Sequence, residues 1–341
     1  LNTWRQRMKK IITEHLILDM IENIQKNEPD DVFMCCGSPE ERCKGTIRKL
    51  APNYKANAVF LLRYTNHESR EREKNVKEMR ERLKKVGDII DFIVDEETPI
   101  PVINDIIQHI EKYISDHAQP RITLDISTII KWHLLILLKA LDLKNNLKGV
   151  RFLYTEPKDY ITDLFQPLSF GIRQIFPILT YSGNYDFSED SLLILLLGYE
   201  GDRALALLEE MDPVECLLLI AKPAYREEWE GRTEKMNKGI INVVGGSRIE
   251  YIHSRNPVKV AQQLYDILSK PKYSRYNHLI SPLGTKPQTL GLYLYLSTNP
   301  TNTVLIYGKP LRYNELFYSR GVGRSWVLPF EKITKVDRNE T

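Results

Sequence analysis

The stretch "ISPLGTKPQTLGLYLYL", residues 280 to 296, runs from apolar residues through a Ser-Pro-Leu-Gly-Thr-Lys turn into apolar residues at helical spacing. A turn of this make-up suits a phosphate group. Gly284 permits close backbone approach, Thr285 offers a hydroxyl, and Lys286 brings charge to a helix N-terminus whose free N–H groups already favour anions. The same residues also suit a plain strand-to-helix turn, with Pro282 and Gly284 shaping the chain and Thr285 capping the helix. The stretch lacks the full P-loop pattern, and GxGxxG appears nowhere in the chain.

A second lysine stands in a comparable turn. In "ITLDISTIIKWHLLILLKAL", Lys131 overlays Lys286, and Asp125 stands where the later copy has its glycine turn. Asp125 is then a polar contact, a catalytic carboxylate, or neither. Two further turns, "GSPEER" at 37 to 42 and "GYEGDR" at 198 to 203, put acid and arginine side by side at a helix start. Their overlay places Gly37 on Gly198, Glu41 on Asp202 and Arg42 on Arg203. The arginines can fork onto a phosphate or a base edge while the acids accept from ribose or base; the alternative is a structural ion pair or a cap. Glu200 adds a carboxylate to the later copy, so Glu200 or Asp202 is the base if the chain does acid–base work. "YSRGVGRSW" at 318 to 326 sets Arg320, Arg324 and two glycines beside Tyr318 and Trp326, as in a loop that covers a phosphate or stacks a base, or a plain surface loop. Arg173 is its counterpart in the earlier copy.

The elements that would position these residues repeat in one order. "AVFLLRYTNHESREREKNVKEM" at 58 to 79 overlays "ECLLLIAKPAYREEWEGRTEKM" at 215 to 236 without a gap, each a strand, a polar turn and a charged helix. "RFLYTEPKDY" at 151 to 160 overlays "VLIYGKPLRY" at 304 to 313, aligning Tyr154 with Tyr307 and Tyr160 with Tyr313. Six segments in one order point to an internal duplication. Strands alternating with helices imply right-handed βαβ units, and runs such as "LLILLL" are apolar on both faces, as strands covered by helices on each side are. The expected fold is α/β: two tandem Rossmann-like, three-layer α/β/α lobes at 31–177 and 191–341, a linker at 178–190, and an amphipathic helix within residues 1–30. Ligands in such sheets sit beyond the carboxyl ends of the strands, where strand order reverses. That rule selects the loops after the first and fourth strands of each lobe, at 37–42 and 125–131 in the first and 198–203 and 281–286 in the second.

With 48 basic and 45 acidic side chains the formal charge is +3, which argues against wholesale wrapping of nucleic acid and leaves room for a local basic site. No apolar run approaches the roughly 20 residues of a membrane span. Cys35, Cys36, Cys43 and Cys216 form neither a CxxC pair nor a disulfide framework, which suits the cytoplasm, and the first two read as buried packing. The seven histidines lack metal-ligand spacing, so neither a metal nor another cofactor is expected. Residues 68 to 86 read as a solvated charged helix, and Tyr225, Trp229 and Glu230 as a helix-start cluster. The sequence opens on Leu1 rather than Met, consistent with an upstream domain.

At "SPLGTKPQTLGLYLY" the chain resembles the strand-turn-helix of CRISPR-associated Rossmann-fold (CARF) sensor domains, and two such units in one chain look like the SAVED domains of bacterial antiphage systems. The resemblance implies a cyclic oligonucleotide or related messenger bound in an interlobe cleft. Gly284, Thr285, Lys286 and Lys131 would contact its backbone, and the loops at Gly37 and Gly198 its sugar or base. It further implies a sensor or partner subunit coupled to an effector, in one or several copies. The first copy has no Gly-Thr-Lys and the second has Pro282-Leu283 where paired glycines are usual, which favours an asymmetric ligand. Two other readings stand beside it: an enzyme cleaving a nucleotide or nucleic acid, with Lys286, Arg203 or Arg324 stabilising charge, and a non-catalytic structural subunit.

Overall fold

The structure, a computed structural model, describes residues 15–16, 28–65, 69–114, 120–160, 168–183, 185–186, 188–298, 302–314 and 318–329. These divide into two compact units: a first lobe of residues up to 160 together with those from 319 onward, and a second lobe running from 161 to 318.

The first lobe is built on strands β1 (His15–Leu16), β2 (Asp30–Cys36), β3 (Ala56–Tyr64), β4 (Asp88–Val94), β5 (Ile122–Asp125), β6 (Val150–Asp159) and, from the far end of the chain, β15 (Arg320–Pro329). Between them lie α1 (Gly45–Lys49), α2 (Arg70–Leu83), α3 (Ile100–Tyr113) and α4 (Lys131–Leu143). The sheet order is β1-β15-β6-β5-β2-β3-β4, with β6 through β4 mutually parallel and β15 antiparallel to β6. β2 is buried along its whole length, as a central strand with helices on both faces must be. The charged α2 starts at Ser69, whose hydroxyl accepts from the Arg72 N–H, and turns Val76, Met79 and Leu83 onto the sheet.

The second lobe contains β7 (Ser169–Phe170), β8 (Gln174–Pro177), β9 (Ser191–Leu196), β10 (Glu215–Ala221), β11 (Ile249–Ile252), β12 (Asn277–Ser281), β13 (Thr303–Lys309) and β14 (Arg312–Tyr313). Its helices are α5 (Gly201–Met211), α6 (Arg232–Met236), α7 (Lys238–Val244), α8 (Pro257–Leu268), α9 (Pro271–Ser274) and α10 (Lys286–Leu296). The main sheet runs β11-β10-β9-β12-β13-β8, all parallel except β8, and β7 pairs separately with β14. Helix α10 is buried from Pro287 to Tyr295, so its apolar residues encircle it instead of lining one face.

Read in order of appearance, the five parallel strands of each sheet have the order 3-2-1-4-5, the mixed α/β layering expected of Rossmann-like units. The lobe boundaries differ from the expected ones. Residues 168–177 belong to the second lobe, because β8 pairs with β13, and the C-terminal strand returns to the first, because β15 pairs with β6. Both pairings join residues far apart in sequence, which no local pattern reports. The amphipathic helix expected over 4–24 lies outside the described residues apart from His15–Leu16, which pair with Val327 and Trp326.

Candidate functional site

Strand order reverses between β2 and β5 in the first lobe and between β9 and β12 in the second. The loops leaving the carboxyl ends of those strands are where an open parallel sheet holds its ligands.

In the second lobe the Gly-Thr-Lys turn is first of all a helix start. The Thr285 hydroxyl accepts from the Gln288 N–H at 3.2 Å, and the Gln288 Oε1 accepts from the Thr285 N–H at 2.8 Å, a reciprocal capping box. The same hydroxyl donates to the Ser254 carbonyl at 2.8 Å. Gly284 is required by this arrangement, since a Cβ there would lie 2.2 Å from the Gln288 Oε1. Gly284 and Thr285 are thus committed to positioning α10, and Lys286, half-buried, is its first residue.

Around this turn four buried polar side-chain atoms have no partner among the described residues: Ser281 Oγ, Gln288 Nε2, Ser254 Oγ and Asn237 Oδ1. They lie along one chain of contacts. Asn237 donates through Nδ2 to the Gly198 carbonyl at 2.7 Å, and Gly198 packs so closely on the Leu283 carbonyl that a Cβ would approach it to 2.6 Å. The Leu283 N–H donates to the Ser281 carbonyl at 3.1 Å, and Gln288 and Ser254 both bond to Thr285. An unpartnered buried polar group costs about 1–3 kcal/mol, and native interiors contain few. Two hydroxyls, an amide N–H and an amide carbonyl together offer donors and acceptors suited to the sugar and base edges of a nucleotide.

Beside them, Glu200 and Arg203 form a buried ion pair, with Arg203 Nη1 at 3.2 Å from both carboxylate oxygens. Arg203 Nε donates to the Gly308 carbonyl at 2.7 Å, and its guanidinium lies 4.8 Å over the Tyr307 ring. Burial opposes its charge, but Glu200, Tyr307 and Tyr313 outweigh that and hold it protonated. Glu200 is therefore a paired carboxylate. Asp202 is exposed on the first turn of α5.

The first lobe repeats part of this chemistry. Arg42 is buried and forks onto Glu40 at 2.9 and 3.0 Å. Burial again opposes its charge and is outweighed by Glu40, Tyr160 and Tyr154, the tyrosines that overlay Tyr313 and Tyr307. For both arginines the ion-pair alternative describes the observed geometry, although Arg42 pairs with Glu40 and not with its neighbour Glu41. Asp125 is buried, and its burial lifts the carboxyl above the ordinary range against the pull of its bonds. It accepts from the Thr46 hydroxyl and, at 2.8 and 2.5 Å, from the Ser127 N–H and hydroxyl. The Ser127 hydroxyl accepts in turn from the Thr155 N–H, and Thr155 meets Ser325 at 2.9 Å. Lys131, buried, is the first residue of α4, the position in its lobe that Lys286 holds in the other. The Gly37 N–H donates to the Leu62 carbonyl.

Arg320 and Arg324 are exposed, but on a strand where a loop was expected. The glycines between them mark an irregularity: Gly321 has φ +62, and the pairing of β15 with β6 shifts register between Val322 and Ser325. Arg173 is also exposed, its N–H bonded to the Lys309 carbonyl at 2.8 Å. All four cysteines are free and buried, and burial pushes Cys43 and Cys216 up to about 12. Among the described residues, no helix is long and apolar enough to cross a membrane.

Ser281 opens a turn that sequence reasoning selects, without a role of its own there, and Ser254, Asn237 and Gln288 are not singled out. Gln288 alone carries a local signal, standing three residues after a threonine cap. Asn237 and Ser254 reach the turn from other loops, so no spacing rule finds them.

No protein-family model matches the chain, and no curated protein matches it. Among solved structures, it is similar to a Type III CRISPR defence DNA nuclease activated by cyclic oligoadenylate, at 10% identity over 80% of this chain and 65% of that one, with a TM-score of 0.48. It therefore spans about two thirds of that nuclease. It is also similar to the cytoplasmic domain of a prokaryotic cation chloride cotransporter, at 10% identity over 84% of this chain and 99% of that one, with a TM-score of 0.26. Likenesses this distant say nothing of what this chain binds.

Proposed function

We propose that this protein recognises a phosphorylated nucleotide at the carboxyl-end crevice of its second lobe, as the sensor or partner subunit of a defence system. The observation that carries the reading is the set of buried, unpartnered groups on Ser281, Gln288, Ser254 and Asn237, at the point where strand order reverses. A ligand bearing donors and acceptors satisfies them, and the folded protein tolerates their cost for that purpose. The defence role and the cyclic oligonucleotide class follow from the resemblance of residues 281–295 to CARF sensors. Descent of both lobes from one duplicated unit is part of the same proposal, supported by the shared strand order and the matched arginine, carboxylate and tyrosine positions.

The test is calorimetric titration with mononucleotides, cyclic dinucleotides and cyclic oligoadenylates, on the wild type and Ser281→Ala. Saturable binding by one class is expected, weakened about tenfold or more in the variant. Because Ser281 Oγ has no partner, its removal should also raise the unfolding midpoint, by about 1 kcal/mol of stability. A stabilised variant that binds as well as the wild type would defeat the proposal, as would a panel in which nothing binds.

A further inference from the structure

The turn after β11 holds a histidine in one tautomer. His253 Nδ1 accepts from the Arg255 N–H at 3.1 Å and the Asn256 N–H at 3.0 Å, and the His253 backbone N–H donates to Gln263 Oε1 at 2.7 Å. With Nδ1 occupied as an acceptor, the ring proton sits on Nε2. That nitrogen has no partner among the described residues. Burial, with the charges of Lys259 and Arg255, lowers the ring to about 4, so it stays a neutral donor near pH 7.

The surroundings favour an anion. The charged groups acting on the ring are both cations, Lys259 from α8 and Arg255 from the turn. Arg255 is engaged with Tyr225, donating to its carbonyl and lying 5.0 Å over its ring. Lys259 is exposed and makes no ion pair among the described residues. The backbone donors at the start of α8 are already used, since Asn256 Oδ1 accepts from the Val258 and Lys259 N–H groups at 3.1 Å. Any recognition here falls to side chains. Between His253 and Arg255 stands Ser254, 1% exposed, with its hydroxyl unpartnered and its carbonyl bound to Thr285 at the start of α10.

We infer that this turn is a second ligand contact, in which the His253 Nε2–H, the Ser254 hydroxyl and the Lys259 ammonium take a phosphate group. The inference rests on the second-lobe reading and deepens it by giving the bound nucleotide a direction. Its nucleoside lies over Ser281, Gln288 and Asn237, and a phosphate lies against the β11–α8 turn. The donor set accepts a phosphomonoester or a phosphodiester.

Inorganic pyrophosphate is the probe, titrated into the full chain, because it carries the anion without a base. His253→Asn keeps an acceptor where Nδ1 stood and deletes the Nε2 donor, and Lys259→Gln removes the charge. Each should weaken saturable pyrophosphate binding about tenfold with the unfolding midpoint unchanged, while Ser281→Ala should leave it intact. His253→Ala, which deletes the cap as well, should lower the midpoint. No pyrophosphate binding by the wild type, or binding that neither His253→Asn nor Lys259→Gln alters, overturns the inference, even where nucleotide binding remains sensitive to Ser281→Ala. Conversely, pyrophosphate binding lost in both variants, with nucleotides indifferent to Ser281→Ala, upholds this contact and removes the nucleoside site.

Discussion

The two lobes share a strand order and a buried arginine–carboxylate pair, yet their reversal points are finished differently. In the first, Asp125 gathers Thr46 and Ser127, Thr128 donates to the Cys36 carbonyl at 2.8 Å, and Thr155 meets Ser325, so these groups satisfy one another. In the second, the Ser281 and Ser254 hydroxyls, Gln288 Nε2 and Asn237 Oδ1 are buried without partners among the described residues. The groups gathered round Asp125 pair with one another, and the four atoms round the Thr285 turn do not. Topology alone therefore does not make a site; the polar accounting at the strand ends does.

Substitutions that separate the two ledgers test this contrast. The largest effect is expected from Glu200→Ala, which leaves the Arg203 charge buried and uncompensated, at about 3–5 kcal/mol of stability. Glu40→Ala should cost less, because that carboxylate is 15% exposed where Glu200 is 3%. Denaturant midpoints decide the order, and equal losses would erase the distinction between the two pairs. Asp125→Ala should cost about 1–3 kcal/mol by stranding the Thr46 and Ser127 donors, the opposite sign to Ser281→Ala in the second lobe. If both substitutions destabilise alike, the second crevice is as self-satisfied as the first.

A smaller effect concerns pH. His253 titrates near 4 in the fold, against an ordinary 6.5, so the unfolded chain takes up a proton between those values that the folded chain refuses. Stability from this group is complete above pH 6.5 and declines as pH falls toward 4. His278, lowered by burial while it bonds the Tyr273 carbonyl, acts in the same direction. The midpoint of His253→Asn should fall less than that of the wild type between pH 6.5 and 4.5; parallel curves would show that the ring carries no such penalty.

Much of the fold was legible because its signals are local. The apolar runs at 191–197 and 215–221 are too short and too uniform for anything but covered strands, and both became central strands. Thr285 with Gln288 spells a helix start in four residues. The return of β15 to β6 was not legible, since glycines that read as a loop mark an irregular strand whose partner lies over 150 residues away. Nor was the second bond of the Thr285 hydroxyl, which goes to the Ser254 carbonyl arriving from another loop.

By itself, then, the amino-acid order determined the alternation of strands and helices, the burial of their apolar faces and the turns between them, because periodicity and capping act over a few residues. Which polar groups find partners was decided only by tertiary structure. Hydrogen bonding at the strand ends depends on atoms that distant segments bring within about 3 Å, a distance that spacing along the chain does not encode.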